Sequence, residues 1–166
     1  MFLFLFSSLI FTIFDGTFND GDIVRYFIDT NTSITIHENN ETSPLCLAVD
    51  SENEIIYWVN YTDVSYALIG TFYNGTTIIL KEYNGTTASV KIAVGEKDFY
   101  VLDSPNGRID RFDRENRTFQ DYFVVADAPT DLTVVQGELK RKRGSYVFFR
   151  SLFVSNCQTD IFSLSC

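Results

Sequence analysis

An all-β fold of small antiparallel sheets is predicted by three observations. Hydrophobic residues alternate with a period of two, turn signals rich in Asn, Asp and Gly recur at short intervals, and no amphipathic helix pattern follows residue 16. The 166 residues suit about one domain. Hydrophobic residues make up 45%, aromatic residues 16% and charged residues 21%, a balance that fills a β-rich core rather than a disordered chain. The net charge is −9, from 22 acidic and 13 basic side chains. Phosphate backbones and anionic membrane surfaces are recognised mainly by Lys and Arg, so nucleic acid is not an expected partner and neither is a lipid surface. A basic protein surface is the electrostatically favoured one.

The elements follow in order. "MFLFLFSSLIFTIF" is an apolar run ending at Phe14, too short to span a bilayer, which takes about 20 residues. Its length is that of a signal-peptide core, and residues 1–16 are expected to be a signal peptide; the other reading is a buried N-terminal strand. Next, "GDIVRYFIDTNTSITIHE" reads as two strands around a turn at Asp29 to Asn31. Leu45–Asp50, Ile55–Asn60, Tyr66–Tyr73 and Thr76–Glu82 read as four strands, the last two joined by Asn74-Gly75, a type I′ hairpin signal. Four more are expected near Val90–Val94, Phe99–Asp103, Arg108–Phe112 and Thr118–Val125.

These two sets of four are copies. "LAVDSENEIIYWVN" aligns with "IAVGEKDFYVLD", placing Leu47, Val49, Tyr57, Trp58 and Asn60 over Ile92, Val94, Tyr100, Val101 and Asp103. Phe27-Ile28-Asp29 matches Phe72-Tyr73-Asn74, and "DLTVV" at 131–135 repeats the first strand again. A period of about 40 to 45 residues, with four strands and no helix, is the signature of a propeller blade. The predicted fold is therefore a partial β-propeller over residues 20–150, with two complete four-stranded blades and a half blade at each end.

At these residues the chain resembles the class B (YWTD) repeat of the low-density lipoprotein receptor family. Leu47-Ala48-Val49-Asp50 and Tyr57-Trp58-Val59-Asn60 carry the likeness in the first copy, with Tyr73-Asn74-Gly75 at the turn; Ile92-Ala93-Val94-Gly95 and Tyr100-Val101-Leu102-Asp103 carry it in the second. The resemblance implies that Trp58 packs between blades and that Asn60 and Asp103 tie neighbouring blades by hydrogen bonds. It also implies an extracellular ligand-binding or scaffold module of an endocytic or signalling receptor, with membrane association only through a larger receptor. In that family an epidermal-growth-factor-like module follows the propeller, and "SNCQTDIFSLSC" looks like a shortened start of one, making 151–166 a Cys-containing tail.

Secretion is supported by Asn-x-Ser/Thr at Asn31, Asn40, Asn60, Asn74, Asn84 and Asn116, six of the 11 Asn. Asn31, Asn40, Asn74, Asn84 and Asn116 are the expected glycan acceptors; Asn60 lies inside a strand and is not. Of the 3 Cys, Cys46 sits in an apolar strand as a buried thiol. Cys157 and Cys166 are candidates for a disulfide in an oxidising compartment, and a partner in another chain is the other reading.

Catalytic patterns are sparse. His37 is the one histidine, so no paired-His metal site can be built. There is no phosphate-binding glycine loop, GxSxG elbow or HExxH helix. "DGTFNDGD" (15–22) lacks the alternating ligand spacing of a calcium loop. "KRKR" at 140–143 reads as a solvated turn, or as a convertase site in a secreted protein. The expectation is a secreted or cell-surface, non-enzymatic binding module without a cofactor, whose partner is a protein ligand or another chain completing the propeller. The competing readings are a lactonase- or esterase-type enzymatic propeller and a truncated receptor product.

Overall fold

A computed structural model describes residues 8–14, 21–38, 43–61, 65–84, 90–104, 106–125, 131–140, 146–155 and 161–165. Every regular element among them is a strand: β1 (Ser8–Phe14), β2 (Gly21–Phe27), β3 (Thr32–His37), β4 (Ser43–Asp50), β5 (Ile55–Tyr61), β6 (Ser65–Phe72), β7 (Thr77–Asn84), β8 (Val90–Val94), β9 (Asp98–Asp103), β10 (Arg108–Asp113), β11 (Phe119–Val124), β12 (Asp131–Lys140), β13 (Tyr146–Ser155) and β14 (Ile161–Ser165). They form two compact units, 1–86 and 87–166.

The first unit holds the sheets β1-β2-β3 and β4-β5-β6-β7. All their neighbouring strands are antiparallel, as short hairpin connections require. Ile23 and Ile36 of the first sheet pack with Ile56, Trp58 and Ile69 of the second, and Ile10, Leu47, Ala67 and Tyr73 surround them. Burying each such side chain contributes about 1.5–3 kcal/mol. The indole Nε1 of Trp58 donates to Thr71 Oγ1 at 2.9 Å, so the one polar atom of that ring is satisfied.

The second unit repeats the plan with β8-β9-β10-β11 and β12-β13-β14. Tyr100, Leu102, Ile109 and Leu132 form its buried cluster, with Ala93, Phe123, Val125 and Val134 against it. The two four-stranded sheets share a register at the repeat positions. Ala48 lies opposite Tyr57 and Val49 opposite Ile56; Ala93 lies opposite Tyr100 and Val94 opposite Phe99. Their first two strands differ by one bulge. Cys46 and Leu47 are both inserted between the paired residues Leu45 and Ala48, and Cys46 takes φ 56° there. Cys46 is therefore half-buried at a bulge, not enclosed in a regular strand.

Several expectations need correction. Each terminal half blade has three strands instead of two, because β1 joins β2 and β14 joins β13. Within the apolar start, Ser8–Phe14 form a strand paired with β2 over its whole length, as the other reading of that run has it. The domain boundary at 150 falls inside β13, whose Ser151–Ser155 pair with both β12 and β14. The Asn74-Gly75 turn is not type I′, since of the two only Gly75 has positive φ, at 89°. Gly75 N–H donates to Phe72 O and Phe72 N–H to Thr76 O, both at 2.8 Å. That is a three-residue loop, a type I turn closed by a left-handed glycine.

Candidate binding surface at the hairpin loops

Three hairpins are built by one sequence pattern, Asp-x-x-Asn followed by a residue in the left-handed region. In the β4–β5 loop, Asp50 accepts from Asn53 N–H at 3.1 Å and from Asn53 Nδ2 at 2.8 Å. In the β9–β10 loop, Asp103 accepts the same pair from Asn106 at 3.4 and 2.8 Å. In the β10–β11 loop, Asp113 accepts from Asn116 N–H at 2.6 Å. The left-handed residue is Glu54 (φ 53°), Gly107 (φ 56°) and Arg117 (φ 59°) in turn. Asp serves here because its short carboxylate reaches the N–H three residues on and adds a side-chain bond to the turn. The signal was present in the sequence as "DSENE", "DSPNG" and "DRENR", and reading by strand alternation alone passes over it.

Within each four-stranded sheet, a backbone bond ties together the two loops at one end. Tyr73 N–H donates to Glu54 O at 2.9 Å in the first unit, and Arg114 N–H donates to Lys97 O at 2.9 Å in the second. Arg114 also reaches Glu96 O through Nη1 at 3.0 Å. The tied loops present Glu52, Glu54 and Asn74 to solvent in the first unit, and Glu96, Lys97, Glu115 and Asn116 in the second. Such a loop set is polar and mainly acidic, held in shape by its own hydrogen bonds. Pre-ordered loops of this kind lower the entropic cost of gripping a partner.

Beneath the first set, the Arg25 guanidinium lies 4.3 Å from the Tyr73 ring centre and 4.8 Å from that of Phe27. Burial pushes the Tyr73 phenol up, Arg25 pulls it down, and Glu54 and Asp50 add to the rise, so the hydroxyl stays protonated at neutral pH. In the second unit Asp110 is fully buried and paired with Arg108, whose guanidinium lies 4.4 Å from the Tyr122 ring centre. The buried carboxylates are thus engaged by turns and by an arginine. Among the described residues, no three His, Cys, Asp or Glu side chains are grouped to hold a metal ion.

The residues singled out from sequence fall as follows. Trp58 lies in the core between the first two sheets. Tyr57 is fully buried and Tyr100 nearly so. Asp103 does not bridge blades; its carboxylate closes its own hairpin, because it ends β9 directly before the turn. Asn60 is half-buried in β5, and its Oδ1 is sealed from solvent with no hydrogen-bond partner among the described residues. Asn31, Asn74, Asn84 and Asn116 are all exposed. Asn31 takes φ 54° and accepts from the Tyr26 hydroxyl, while Asn74 Oδ1 accepts from Thr76 N–H at 2.9 Å. Asn40, Cys157 and Cys166 lie outside the described residues, as do the acidic stretch 15–20 and residues 141–143 of the basic cluster. His37 ends β3, half-buried, with its ring 4.9 Å from that of Trp58.

Comparison with known proteins bears on the architecture. The chain is similar to the β-propeller domain of the trilobed protease from Pyrococcus furiosus, a structure with an open velcro topology: TM-score 0.53, 12% identity, over 95% of this chain and 52% of that one. The chain is a partial β-propeller. A chain in the crystal structure of a nidogen/laminin complex is also similar, with TM-score 0.52 and 16% identity over 70% of this chain and 43% of that one. The propeller thus spans about half the length of the structures it matches. No family model matches the sequence, and no curated protein matches it.

Proposed function

We propose that this partial propeller is a non-enzymatic, protein-binding module of the YWTD type, working on the extracellular side of a membrane or in secreted form. The observation that carries the reading is the shared register of the two four-stranded sheets at the motif positions, Ala48 opposite Tyr57 and Ala93 opposite Tyr100, with Trp58 wedged between sheets. Two further features support it. The similar chain from the nidogen/laminin complex belongs to a protein–protein assembly. The described loop ends are polar, acidic and pre-ordered, which favours a basic protein surface.

The extracellular setting rests on the sequons, four of which carry exposed Asn side chains. The experiment is a binding screen of the full chain against purified extracellular-matrix proteins and receptor ectodomains, run beside a lactone and aryl-ester hydrolysis assay with added divalent metals. Saturable binding that weakens with salt is expected, with no turnover. Metal-dependent turnover at an enzymatic rate would replace this reading with the hydrolase one.

A further inference from the structure

His37 stands where the end of β3 meets the second sheet. Val24 pairs with Thr35 and Ile23 with His37, so Ile36 is an extra residue on β3, a β-bulge. A regular strand sends successive side chains to opposite faces. The bulge breaks that alternation, and both residues pack toward the second sheet. Ile36 joins Ile23, Ile56, Trp58 and Ile69 in one cluster, and the His37 ring lies 4.9 Å from the Trp58 ring at 48°. There the imidazole Nε2 is sealed from solvent, with no hydrogen-bond partner among the described residues. A buried polar atom left unpaired is destabilising, and one that takes up a charge is far more so. The charged group bearing on the ring is Asp22, beside Ile23 on β2. Across the seam Ile56, Trp58 and Ile69 carry no charge, and Glu38, next along the chain, is exposed.

We propose that His37 is an acid-released latch on the seam between the first two sheets: protonation of its imidazole turns the ring out to water, frees the end of β3 and uncovers Trp58. Protonated, both ring nitrogens are donors, and the seam offers the sealed one no acceptor among the described residues. Asp22 favours the cation, but burial outweighs it. The open form, with the ordinary value of 6.5, therefore binds the proton more tightly than the closed form, and acid favours opening. Between the two values the open-to-closed ratio rises about tenfold for each unit of pH lost. The opening is local for a structural reason. Strand β3 lies at the edge of its sheet, paired with β2 alone, and His37 forms the last pair of that ladder. Strand ends of this kind open at lower free energy than the sheet as a whole.

The chain has 1 Trp and 1 His, so one fluorophore and one imidazole report on the latch directly. The test follows acrylamide quenching of Trp58, far-UV circular dichroism and the proton NMR titration of His37 on the full chain, from about pH 8 to about pH 5. The quenching constant should rise several-fold below pH 6.5, together with the imidazole titration, while the strand dichroism holds. His37→Gln should keep the low quenching constant at every pH. Should that variant fail to fold, His37→Phe decides; if neither folds, the coincidence of the two titrations in the unaltered chain decides. A flat quenching constant, an equal rise in a folded His37 variant, a rise accompanied by loss of the dichroism, or an imidazole midpoint above 6.5 would each overturn the proposal.

Discussion

Trp58 concentrates the physical logic of the chain at a single residue. It is 1% exposed, packs against both sheets of the first unit, and satisfies its N–H on Thr71. Trp58→Ala should cost about 3–5 kcal/mol in urea unfolding, the range for removing a buried aromatic ring. Glu54 tells the opposite story. It holds φ 53°, a conformation that costs a side-chain-bearing residue about 1–2 kcal/mol, so Glu54→Gly should raise stability by up to about 1 kcal/mol after glycine's added unfolded-state entropy. Gly107→Ala should destabilise, since the new Cβ would meet Val125 O at 2.8 Å at φ 56°. His37 supplies a pH signature. Burial lowers its pKa from 6.5, with Asp22 pulling back up. Its unfolded form therefore binds the proton first, and stability falls as pH drops below 6.5 towards the lowered folded value. Urea midpoints of the unaltered chain and His37→Gln should diverge over that interval, with the variant losing less; parallel curves would remove His37 from the account.

At the scale of elements, the recurring hairpin sets the plan. Asp50/Asn53 and Asp103/Asn106 make the same two hydrogen bonds, although they join different strands of the repeat. Asn53→Ala and Asn106→Ala should each cost about 1 kcal/mol, the net worth of a typical hydrogen bond. Unequal losses in thermal unfolding would show that the two turns are not held alike. Strand existence and pairing were legible here, because period-two alternation and Asn or Asp turns are local signals: Leu47–Asp50 and Ile55–Asn60 were expected to be antiparallel neighbours, and they are. Turn type was less legible. Asn-Gly suits several loop lengths, and at Asn74-Gly75 the strand register selected the three-residue form. The role of β1 was ambiguous from sequence for a different reason. An apolar run of that length suits a leader's core and a strand alike, and Ser8–Phe14 pair in register with β2.

For the molecule as a whole, surface exposure predicts a modification pattern. Made in a secretory host, the chain should carry glycans at Asn31, Asn74, Asn84 or Asn116, all exposed, and none at half-buried Asn60. Glycopeptide mass spectrometry reads this directly. A glycan at Asn60 would require β5 to open, and no glycan at any of the four would count against the extracellular setting. The net charge of −9 adds that binding to a basic protein partner should weaken as salt rises, through screening of the acidic loops.

The sequence by itself determined an all-β chain, a repeat of about 40 to 45 residues, and the superposition of Tyr57 on Tyr100. All of these follow from side-chain alternation and turn chemistry, which act within a few residues. Only the tertiary structure decided that Trp58 is covered by Ile23 and Ile36 while Phe11 is left in solvent. It decided too that Asp103 closes its own turn. The physical reason is that a period-two pattern marks which residues share a face of a sheet, but not what packs on that face. That depends on sheet-to-sheet contact between residues distant in the chain, for which a single sequence carries no periodic signal.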